Sequence, residues 1–361
     1  MQIIADRRAL HRIPEVDKEL PKTYAYLKNA LEGLSCRLFS PEGIALCAFF
    51  DFGKEDTIAF RSDCDALPIT ENTGAEYAST HPGKMHACGH DGHMAILLEL
   101  ARRLHEKKEL LHNVLLVFQP AEETDGGAKA ICHSGVFQEY RVKAIFGLHL
   151  WPGLTPGVVF SRKNGLMSRT SNVFIEFCGR SAHIAMADKA LDATAAAVLF
   201  YRKATEMEKA LPEGIYRLLK FGMLQSGTTG NVLSPYATLA GSIRAFEDEV
   251  FEGLRDSLFA IAKEVEDATG VTVKVDVHEG YPAVMNPEDL FEKVNGIFPL
   301  AYPGNPSMTA EDFSYYQKTV PGILFWLGIG DTPALHAANF NFDEQILVKG
   351  AEFFELLAEK F

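Results

Sequence analysis

The sequence predicts an α/β protein with a mixed, largely parallel central sheet and helices on both of its faces. Strand-like segments alternate with helical segments over residues 1–169, and Asn113–Phe118 is a continuous apolar run of the kind buried on both faces. The pattern changes near residue 170, where a segment that alternates like a half-buried strand precedes a long helix. We therefore expect a large first domain and a smaller inserted α+β domain.

Length and composition limit the classes of function. A chain of 361 residues is long for a single hydrophobic core, and its net charge of −13 argues against nucleic acid as a partner. No apolar run approaches the roughly 20 residues of a membrane span, and the first residues show no apolar signal core. The six cysteines are widely spaced, as expected for reduced thiols. We expect a cytoplasmic protein without a membrane segment.

The first domain is predicted to begin with two helices and then to alternate strands with helices. Pro14 separates the first two helices, and Gly33 supplies a stop for the second. The helices are predicted over Ile4–Arg12, Pro21–Gly33, Ala95–Leu104 and Ala128–Ser134, and the strands over Gly43–Asp51, Thr57–Arg61, Asn113–Phe118 and Ala144–Leu148. This alternation indicates a sheet that is parallel over most of its width.

The region after residue 170 predicts a β-α-β-β-α-β unit of about the length of a small domain. Its strands are predicted over Asn172–Phe177, Tyr216–Gly222, Thr238–Arg244 and Thr272–His278, and its helices over Asp188–Leu211 and Asp248–Thr269. After Gly280 the signals are mixed again, with helices at Pro287–Gly296, Ala310–Thr319 and Asp343–Lys360 and a strand at Ile323–Gly328. The resulting division is 1–169, 170–278 and 279–361, with the middle part inserted into the first domain.

The stretch Met85–Met94 holds three histidines, a cysteine and an aspartate in eight residues. Cys88 and His90 are separated by one glycine, which lets the backbone turn tightly enough for both side chains to reach one transition-metal site. The alternative is that these residues cap a helix and fill a core. His86 and His93 are weaker candidates, expected to be structural or to orient a ligand.

Acidic and imidazole side chains also follow the predicted strands. Glu122 and Glu123 leave a buried strand together and require a cation there, so that one can bind an ion while the other transfers protons. An exposed pair favoured by a helix dipole is the alternative. Asp63 and His149 follow neighbouring strands, and strand ends are where such sheets build their sites. His336 follows a later strand. The alternative for His149 is a histidine buried in the core, and the alternative for His336 is a residue of a surface loop.

Ten sequence blocks in one order resemble the dinuclear metal aminoacylase and carboxypeptidase family. Within it they are most similar to the branch of hippurate hydrolases, auxin-conjugate amidohydrolases and N-acetyldiaminopimelate deacetylases. The blocks are LHRIPE (Leu10–Glu15), RSDCDALP (Arg61–Pro68), MHACGHDGHM (Met85–Met94), FQPAEE (Phe118–Glu123), GLHLWP (Gly147–Pro152), SAH (Ser181–His183), GTTGNVLSP (Gly227–Pro235), GSIR (Gly241–Arg244), AEDFSYY (Ala310–Tyr316) and ALHAANF (Ala334–Phe340). They cover nearly the whole chain.

The resemblance implies a zinc-peptidase-like fold whose inserted ferredoxin-like domain, 170–278, serves as lid and dimerisation domain of a homodimer. It implies two divalent metal ions, with Mn or Zn favoured and Co or Ni compatible. Matched position by position, it implies metal ligation by Cys88, His90, Glu123, His149 and His336, general acid/base catalysis by Glu122, and support of the metal centre by Asp63. His183, Asn231 and Arg244 match substrate-binding residues; a salt bridge is the alternative for Arg244.

The implied function is hydrolysis of the amide bond of N-acyl amino acids, such as N-acetyl or N-benzoyl derivatives. An N-acetyldiaminopimelate deacetylase and a dipeptidase or carboxypeptidase are the alternatives within the resemblance, and a metal- or ligand-binding protein without turnover is the alternative from another class.

The sequence departs from the family pattern at two places. Arg61-Ser62-Asp63 replaces the His-x-Asp of the wider family, and the SAHIAMAD loop lacks the usual proline and glycine near His183. No strand is followed by a GxGxxG or GxxxxGK[ST] phosphate-binding sequence.

Overall fold

The computed structural model describes all residues, 1–361, in ten α-helices and fifteen β-strands. The helices are α1 (Gln2–His11), α2 (Pro21–Leu31), α3 (His90–His105), α4 (Gly127–His133), α5 (Val136–Glu139), α6 (Ala193–Ala210), α7 (Asp248–Thr269), α8 (Glu288–Ile297), α9 (Phe313–Gln317) and α10 (Leu347–Lys360). The strands are β1 (Arg37–Phe39), β2 (Leu46–Phe50), β3 (Thr57–Asp63), β4 (Asn113–Gln119), β5 (Val142–Trp151), β6 (Val159–Phe160), β7 (Asn164–Met167), β8 (Arg169–Cys178), β9 (Ala182–His183), β10 (Arg217–Ser226), β11 (Val232–Leu233), β12 (Tyr236–Ala245), β13 (Thr272–Val277), β14 (Val284–Asn286) and β15 (Gly322–Gly328). None of the helices combines the length and apolar composition that crossing a membrane requires.

The chain divides into two compact units. The first comprises Met1–Leu166, Val284–Asn305 and Asp312–Phe361, and the second comprises Met167–Ala283 and Pro306–Glu311. The short segment 306–311 belongs to the second unit, whereas the sequence predicts it in the first domain. Hydrogen bonds explain the difference, because Ser168 N donates to Thr309 O at 2.9 Å and the Arg244 guanidinium donates to Met308 O.

The first unit contains a seven-stranded sheet in the order β1-β2-β4-β3-β5-β15-β6. The four central strands are parallel, and β1, β2 and β6 pair antiparallel at the two edges. Successive residues of β5 face opposite sides of this sheet: Phe146 packs edge-on against Phe361 after α10, and Gly147 lies against the ring of Phe313 in α9. The predicted α/β class, with helices on both faces of a sheet that is parallel at its centre, is confirmed.

Sheet order explains how distant side chains meet. Strand β3 lies between β4 and β5, and its register places Asp63 beside Gln119. Parallel neighbours end at the same edge of a sheet, so the residues after β3 and β4 and the last residues of β5 share one edge. This is the arrangement that the sequence predicted from three successive strand ends.

Several element boundaries differ from the sequence prediction. Helix α3 begins at His90 instead of Ala95, so that His90 and His93 lie in its first turn, and β5 continues to Trp151 and therefore includes His149. Helix α6 begins at Ala193 instead of Asp188, because the Asp192 carboxylate caps it by accepting hydrogen bonds from Thr194 N at 2.9 Å and Ala195 N at 3.2 Å. The two- to four-residue strands β1, β6, β7, β9, β11 and β14 were not predicted, since so short a segment shows no periodicity.

The second unit has its own antiparallel sheet, in the order β10-β12-β8-β13. Helices α6 and α7 contribute to a separate apolar core in which Phe177 of β8 packs edge-on against Phe200 of α6. The chain order of its main elements is β-α-β-β-α-β. Its proposed role as lid and dimerisation domain stays a prediction.

Candidate metal centre

The candidate site lies at the shared strand edge of the first unit. Three overlapping sets of side chains bring their ligand atoms within 4.8 Å of one another. The sets are Cys88 with His90 and His149, Cys88 with Glu123 and His336, and His90 with Glu122 and Glu123. The structure thus brings all five predicted ligands and the predicted acid/base into one cluster, although they come from four separate parts of the sequence.

His90 presents one ring nitrogen to this cluster. Its Nδ1 donates to the carbonyl of Asp65 at 2.8 Å. Burial lowers the pKa of His90, but the carboxylates of Asp63, Asp65 and Glu123 outweigh burial and raise it to about 10, and a cation bound at Nε2 would take the place of the proton there. Nε2 is buried without a hydrogen-bond partner and lies 3.6 Å from Asp63 Oδ2 and 3.8 Å from Glu123 Oε1. A buried, unpartnered nitrogen beside two carboxylates fits a cation bound at Nε2.

Cys88 and His149 form the second part of the cluster. His149 donates from Nδ1 to the carbonyl of Leu150 at 2.7 Å, and its Nε2 lies 3.5 Å from Cys88 Sγ. Burial lowers the pKa of His149 to about 3, so its imidazole is neutral, which is the form that binds metals. Burial, with the carboxylates of Glu123 and Glu122, raises the pKa of the Cys88 thiol well above its usual value. A cation beside the sulfur favours the thiolate instead.

Glu123 and His336 complete the set. His336 Nε2 lies 3.1 Å from Glu123 Oε1, an oxygen that is buried and makes no aligned hydrogen bond. Burial raises the pKa of Glu123, but His336 and His90 outweigh burial and lower it. The backbone of His336 has a positive φ of 65° and its N–H donates to Ala87 O at 2.8 Å, which ties the loop to the Cys88 segment. His336 is exposed, as the surface-loop alternative predicts, but its imidazole still reaches Cys88 and Glu123.

Asp65 was not identified from the sequence. Its two carboxylate oxygens accept hydrogen bonds from Glu122 N at 2.9 Å and Glu123 N at 3.0 Å, and its carbonyl accepts the His90 Nδ1–H. One residue therefore orients three members of the cluster. The available signal was its place in the RSDCDALP block, two residues after Asp63 at the end of a strand.

Asp63 is held by His93 and Arg61. His93 Nδ1 donates to Asp63 Oδ1 at 2.6 Å and its Nε2 accepts from Leu150 N at 2.9 Å, so both of its nitrogens are engaged. His93 therefore offers no nitrogen to an ion, and its contact with Asp63 agrees with the structural or orienting role expected from the sequence, which stays a prediction. Burial raises the pKa of Asp63, but His90, His93 and Arg61 outweigh burial and bring it well below its usual value.

A buried network supports the site from the sheet side. Arg61 donates to Gln119 Oε1 at 2.7 Å, to Asp63 Oδ2 at 2.9 Å and to Asp312 Oδ1 at 2.9 Å. Asp312 Oδ2 accepts from Gln119 Nε2 at 2.7 Å and from Ala128 N at 3.0 Å. The network joins the strand that carries Asp63 to both ends of the turn that carries the two glutamates. Arg61, at the place of the family's histidine, thus acts as a structural cation.

The turn between β4 and α4 presents Glu122 and Glu123. Ala121 has a positive φ of 58°, and its carbonyl accepts hydrogen bonds from Gly126 N at 3.0 Å and Gly127 N at 3.2 Å. A Cβ on Gly127 would lie 2.0 Å from the carbonyl oxygen of Pro120. The backbone of the turn therefore closes only with glycine at position 127.

We expect Gly127→Ala to lower the free energy of unfolding by about 1–3 kcal/mol and to weaken metal binding, because the added methyl group must displace the turn. Urea unfolding and metal titration measure the two effects. Gly296→Ala in α8, where a Cβ meets nothing within 4 Å, is the control and should change stability by less than about 1 kcal/mol. Equal behaviour of the two variants would contradict the proposed constraint.

The three predicted substrate-binding residues lie in the second unit. His183 and Asn231 are exposed on neighbouring segments, where β9 pairs with β11 and Ile184 N donates to Asn231 O at 3.1 Å. Arg244 of β12 is half-buried; its guanidinium donates to Met308 O and lies 3.5 Å from Ser242 Oγ. It has no carboxylate partner among the described ion pairs, which disfavours the salt-bridge alternative. Burial lowers its pKa.

Comparison with known proteins gives the family. A model of peptidase family M20/M25/M40 matches residues 59–360. The N-acetyldiaminopimelate deacetylase of Streptococcus uberis is 36% identical over 357 residues, 95% of this chain and 94% of the relative. That of Streptococcus pneumoniae strain CGSP14 is 35% identical over 368 residues, 97% of this chain and 96% of the relative.

Solved structures agree with this assignment. The YXEP protein of Bacillus subtilis, described as a dinuclear metal binding peptidase of the M20 family, superposes with a TM-score of 0.86 at 28% identity, covering 99% of this chain and 96% of that one. A protein of methicillin-resistant Staphylococcus aureus, described provisionally as an aminohydrolase, has a TM-score of 0.92 at 28% identity and covers 98% and 95%. The resemblance found in the sequence is confirmed, and the chain belongs to peptidase family M20/M25/M40.

Proposed function

We propose that this protein is a metal-dependent amidohydrolase that hydrolyses the amide bond of N-acyl amino acids. The observation that carries the proposal is the single cluster of Cys88, His90, Glu123, His149 and His336 with Glu122 beside it. Membership of the M20/M25/M40 family supports a hydrolase, and the description of the Bacillus subtilis protein supports a dinuclear centre.

We infer that the five ligand residues hold two divalent ions. Thiolate, imidazole and carboxylate together suit Zn or Mn, and Co or Ni are compatible, since availability decides among such metals. When bound, the ions supply a water of lowered pKa and polarise the substrate carbonyl. Asp63 and Asp65 support the ligands: Asp63 adds a negative charge beside the metal-facing Nε2 of His90, and Asp65 holds the opposite ring nitrogen of His90 and the backbone of both glutamates.

Glu122 is proposed as the general base and acid. It accepts a proton from the attacking water and then gives that proton to the departing amine nitrogen. Its backbone is fixed by Asp65 and its carboxylate lies within 4.8 Å of the ligand atoms of His90 and Glu123. These contacts support the proposed role of Glu122 in proton transfer.

The names of the relatives and the matched residues support the proposed substrate class. The two Streptococcus relatives are named N-acetyldiaminopimelate deacetylases, so this N-acetyl amino acid is the first substrate to test; N-benzoyl amino acids and dipeptides are the alternatives. We propose that Arg244 binds a substrate carboxylate through its guanidinium, and that His183 and Asn231 contact the substrate amide. Location in the cytoplasm stays a prediction.

We expect the purified protein loaded with Mn²⁺ or Zn²⁺ to release amine from N-acetyldiaminopimelate or from another member of a panel of N-acetyl and N-benzoyl amino acids. Exhaustive chelation should abolish this activity and readdition of the ion should restore it, because the attacking water depends on the metal. Amine release and metal content are measured together. A protein that binds the ions and cleaves nothing in the panel supports the alternative of a binding protein without turnover.

We propose a homodimer formed through the second unit. Strand β10 is an edge strand of its sheet, and apolar side chains on it and on the neighbouring α6 are exposed, among them Tyr201 and Leu224. Tyr201 of α6 lies against Phe221 of β10, with ring centroids 5.9 Å apart. An unpaired edge beside exposed apolar groups suits a second copy of the same surface.

The double variant Tyr201→Glu with Leu224→Lys is expected to be a monomer, because it places charges on the proposed contact surface. Light scattering coupled to gel filtration gives the mass. The matched control is Phe259→Glu, which changes an equally exposed aromatic residue of α7 and should leave the dimer intact. A wild-type protein that is monomeric at micromolar concentration would contradict the proposed dimer.

A further inference from the structure

The LHRIPE block of the sequence has no part in the proposed chemistry, yet its histidine is buried in the first unit. His11 ends helix α1, and Arg7 lies one turn before it on the same helix. Both side chains contact Asp91, the second residue of α3. Asp91 follows directly after the proposed metal ligand His90, so this contact reaches the edge of the candidate centre.

The contact is a buried ionic cluster. Asp91 Oδ2 lies 2.8 Å from Arg7 Nε and 2.7 Å from His11 Nδ1, and the side chains of Arg7 and Asp91 are both 0% exposed. The second oxygen of Asp91 accepts from Gly92 N at 2.9 Å. Helix α1 thus supplies both charged contacts to this carboxylate, while its remaining oxygen is used within the first turn of α3.

Arg7 and His11 are themselves held from the side away from Asp91. His11 Nε2 lies 3.2 Å from Glu71 Oε1, and the other oxygen of Glu71 accepts from Ser79 N at 2.6 Å. The Arg7 guanidinium lies over the ring of Tyr77, 4.9 Å from its centroid, and its Nη1 is 3.2 Å from Glu344 Oε1. Neither side chain can rotate away from Asp91 without breaking these contacts.

The turn that Asp91 belongs to carries two groups of the centre. His90 points Nε2 towards Asp63 and Glu123, and His93 donates to Asp63 and accepts from Leu150 N. A rotation of this turn about the helix axis would displace both imidazoles together. Buried ion pairs contribute little net stability compared with apolar packing. The contacts of Asp91 with Arg7, His11 and Gly92 N, however, fix the position of its carboxylate. Control of orientation therefore explains this cluster better than stability does.

We propose that Arg7 and His11 are positioning residues that act through Asp91 to hold the first turn of α3 in the geometry required for metal binding. The inference rests on the proposed function, because it takes His90 as a ligand. Supporting groups around metal ligands commonly change affinity by 10- to 100-fold when they are removed. Metal affinity is thus the property that this cluster should control.

The test compares Arg7→Met and His11→Gln with Arg8→Met. Arg8 is the matched control because it is the next residue, pairs with the same Glu344 at 2.6 Å, is 48% exposed and has no contact with Asp91 among the described ion pairs. Dissociation constants for Mn²⁺ and Zn²⁺ are measured by chelator competition, and the thermal midpoint of each metal-free protein is recorded separately.

We expect Arg7→Met and His11→Gln to bind the ions 10- to 100-fold more weakly than the wild type, and Arg8→Met to bind within threefold. Variants that lower the metal-free midpoint but keep the wild-type dissociation constants would show a purely structural role and overturn the inference. If Arg7→Met does not fold, His11→Gln, which keeps one donor towards Asp91, decides the question. A wild-type protein that binds neither ion contradicts the proposed function as well, whereas wild-type binding with unaffected variants contradicts this inference alone.

Discussion

Replacing Glu122 with glutamine is expected to lower kcat by a factor of about 10² to 10⁴ and to leave the metal content unchanged. Glutamine has nearly the same shape and keeps the backbone hydrogen bond to Asp65, but its amide cannot accept and return a proton. Steady-state amine release and metal analysis on the same sample measure the two effects.

Glu123→Gln is the matched control for this substitution. It changes the neighbouring side chain in the same way, yet it is expected to lose metal, because Glu123 Oε1 lies between His90 and His336. The two variants should therefore differ in metal content although both lose activity. A Glu122→Gln protein that retains full amidase activity would end the proposed mechanism, and one that loses its metal would assign Glu122 to ligation instead.

Replacing Arg61 with methionine is expected to cost about 3–5 kcal/mol of folding free energy, because the carboxylates of Asp63 and Asp312 lose their shared guanidinium inside the protein. The loss is large beside a typical total stability of about 5–15 kcal/mol. Urea unfolding followed by circular dichroism measures it, and metal content should fall with it because Asp63 lies against His90.

The control for Arg61 is Arg141→Met. Arg141 is 63% exposed and pairs with the exposed Glu55 at 3.2 Å, an arrangement that contributes at most about 1 kcal/mol. Tyr316→Phe is expected to lose an intermediate amount of folding free energy, about 0.5–1.5 kcal/mol, because it removes one hydrogen bond of 2.8 Å to Gln119. If Arg61→Met is no less stable than Arg141→Met, the network does not support the site as described.

Sequence patterns predicted the parts of the site that depend on local order. Asp63, Glu122 and His149 follow or end successive strands, and parallel strands that are neighbours in a sheet must end at one edge. The proximity of Cys88 and His90 was also predictable, because a single residue between them leaves the two side chains little freedom to separate. These predictions needed only the periodicity of strands and the chemistry of the donor groups.

Other features could not be predicted in this way. His90 and His93 lie in the same helical turn, yet one leaves a ring nitrogen unpartnered and the other uses both. Their difference is set by Asp65 and by Leu150, which lie 25 residues from His90 and 57 residues from His93 along the chain. Asp91 is similar: its partner His11 is 80 residues away in sequence and shows no local signal.

The sequence by itself determined which donor groups this protein has and along which strands they lie, since side-chain chemistry and the two-residue period of strands are local properties. Only the tertiary structure decided the partner of each ring nitrogen and carboxylate oxygen. Those pairings depend on how strands β4, β3 and β5 and helices α1 and α3 pack, and packing brings together residues whose separation along the chain carries no information about their contact.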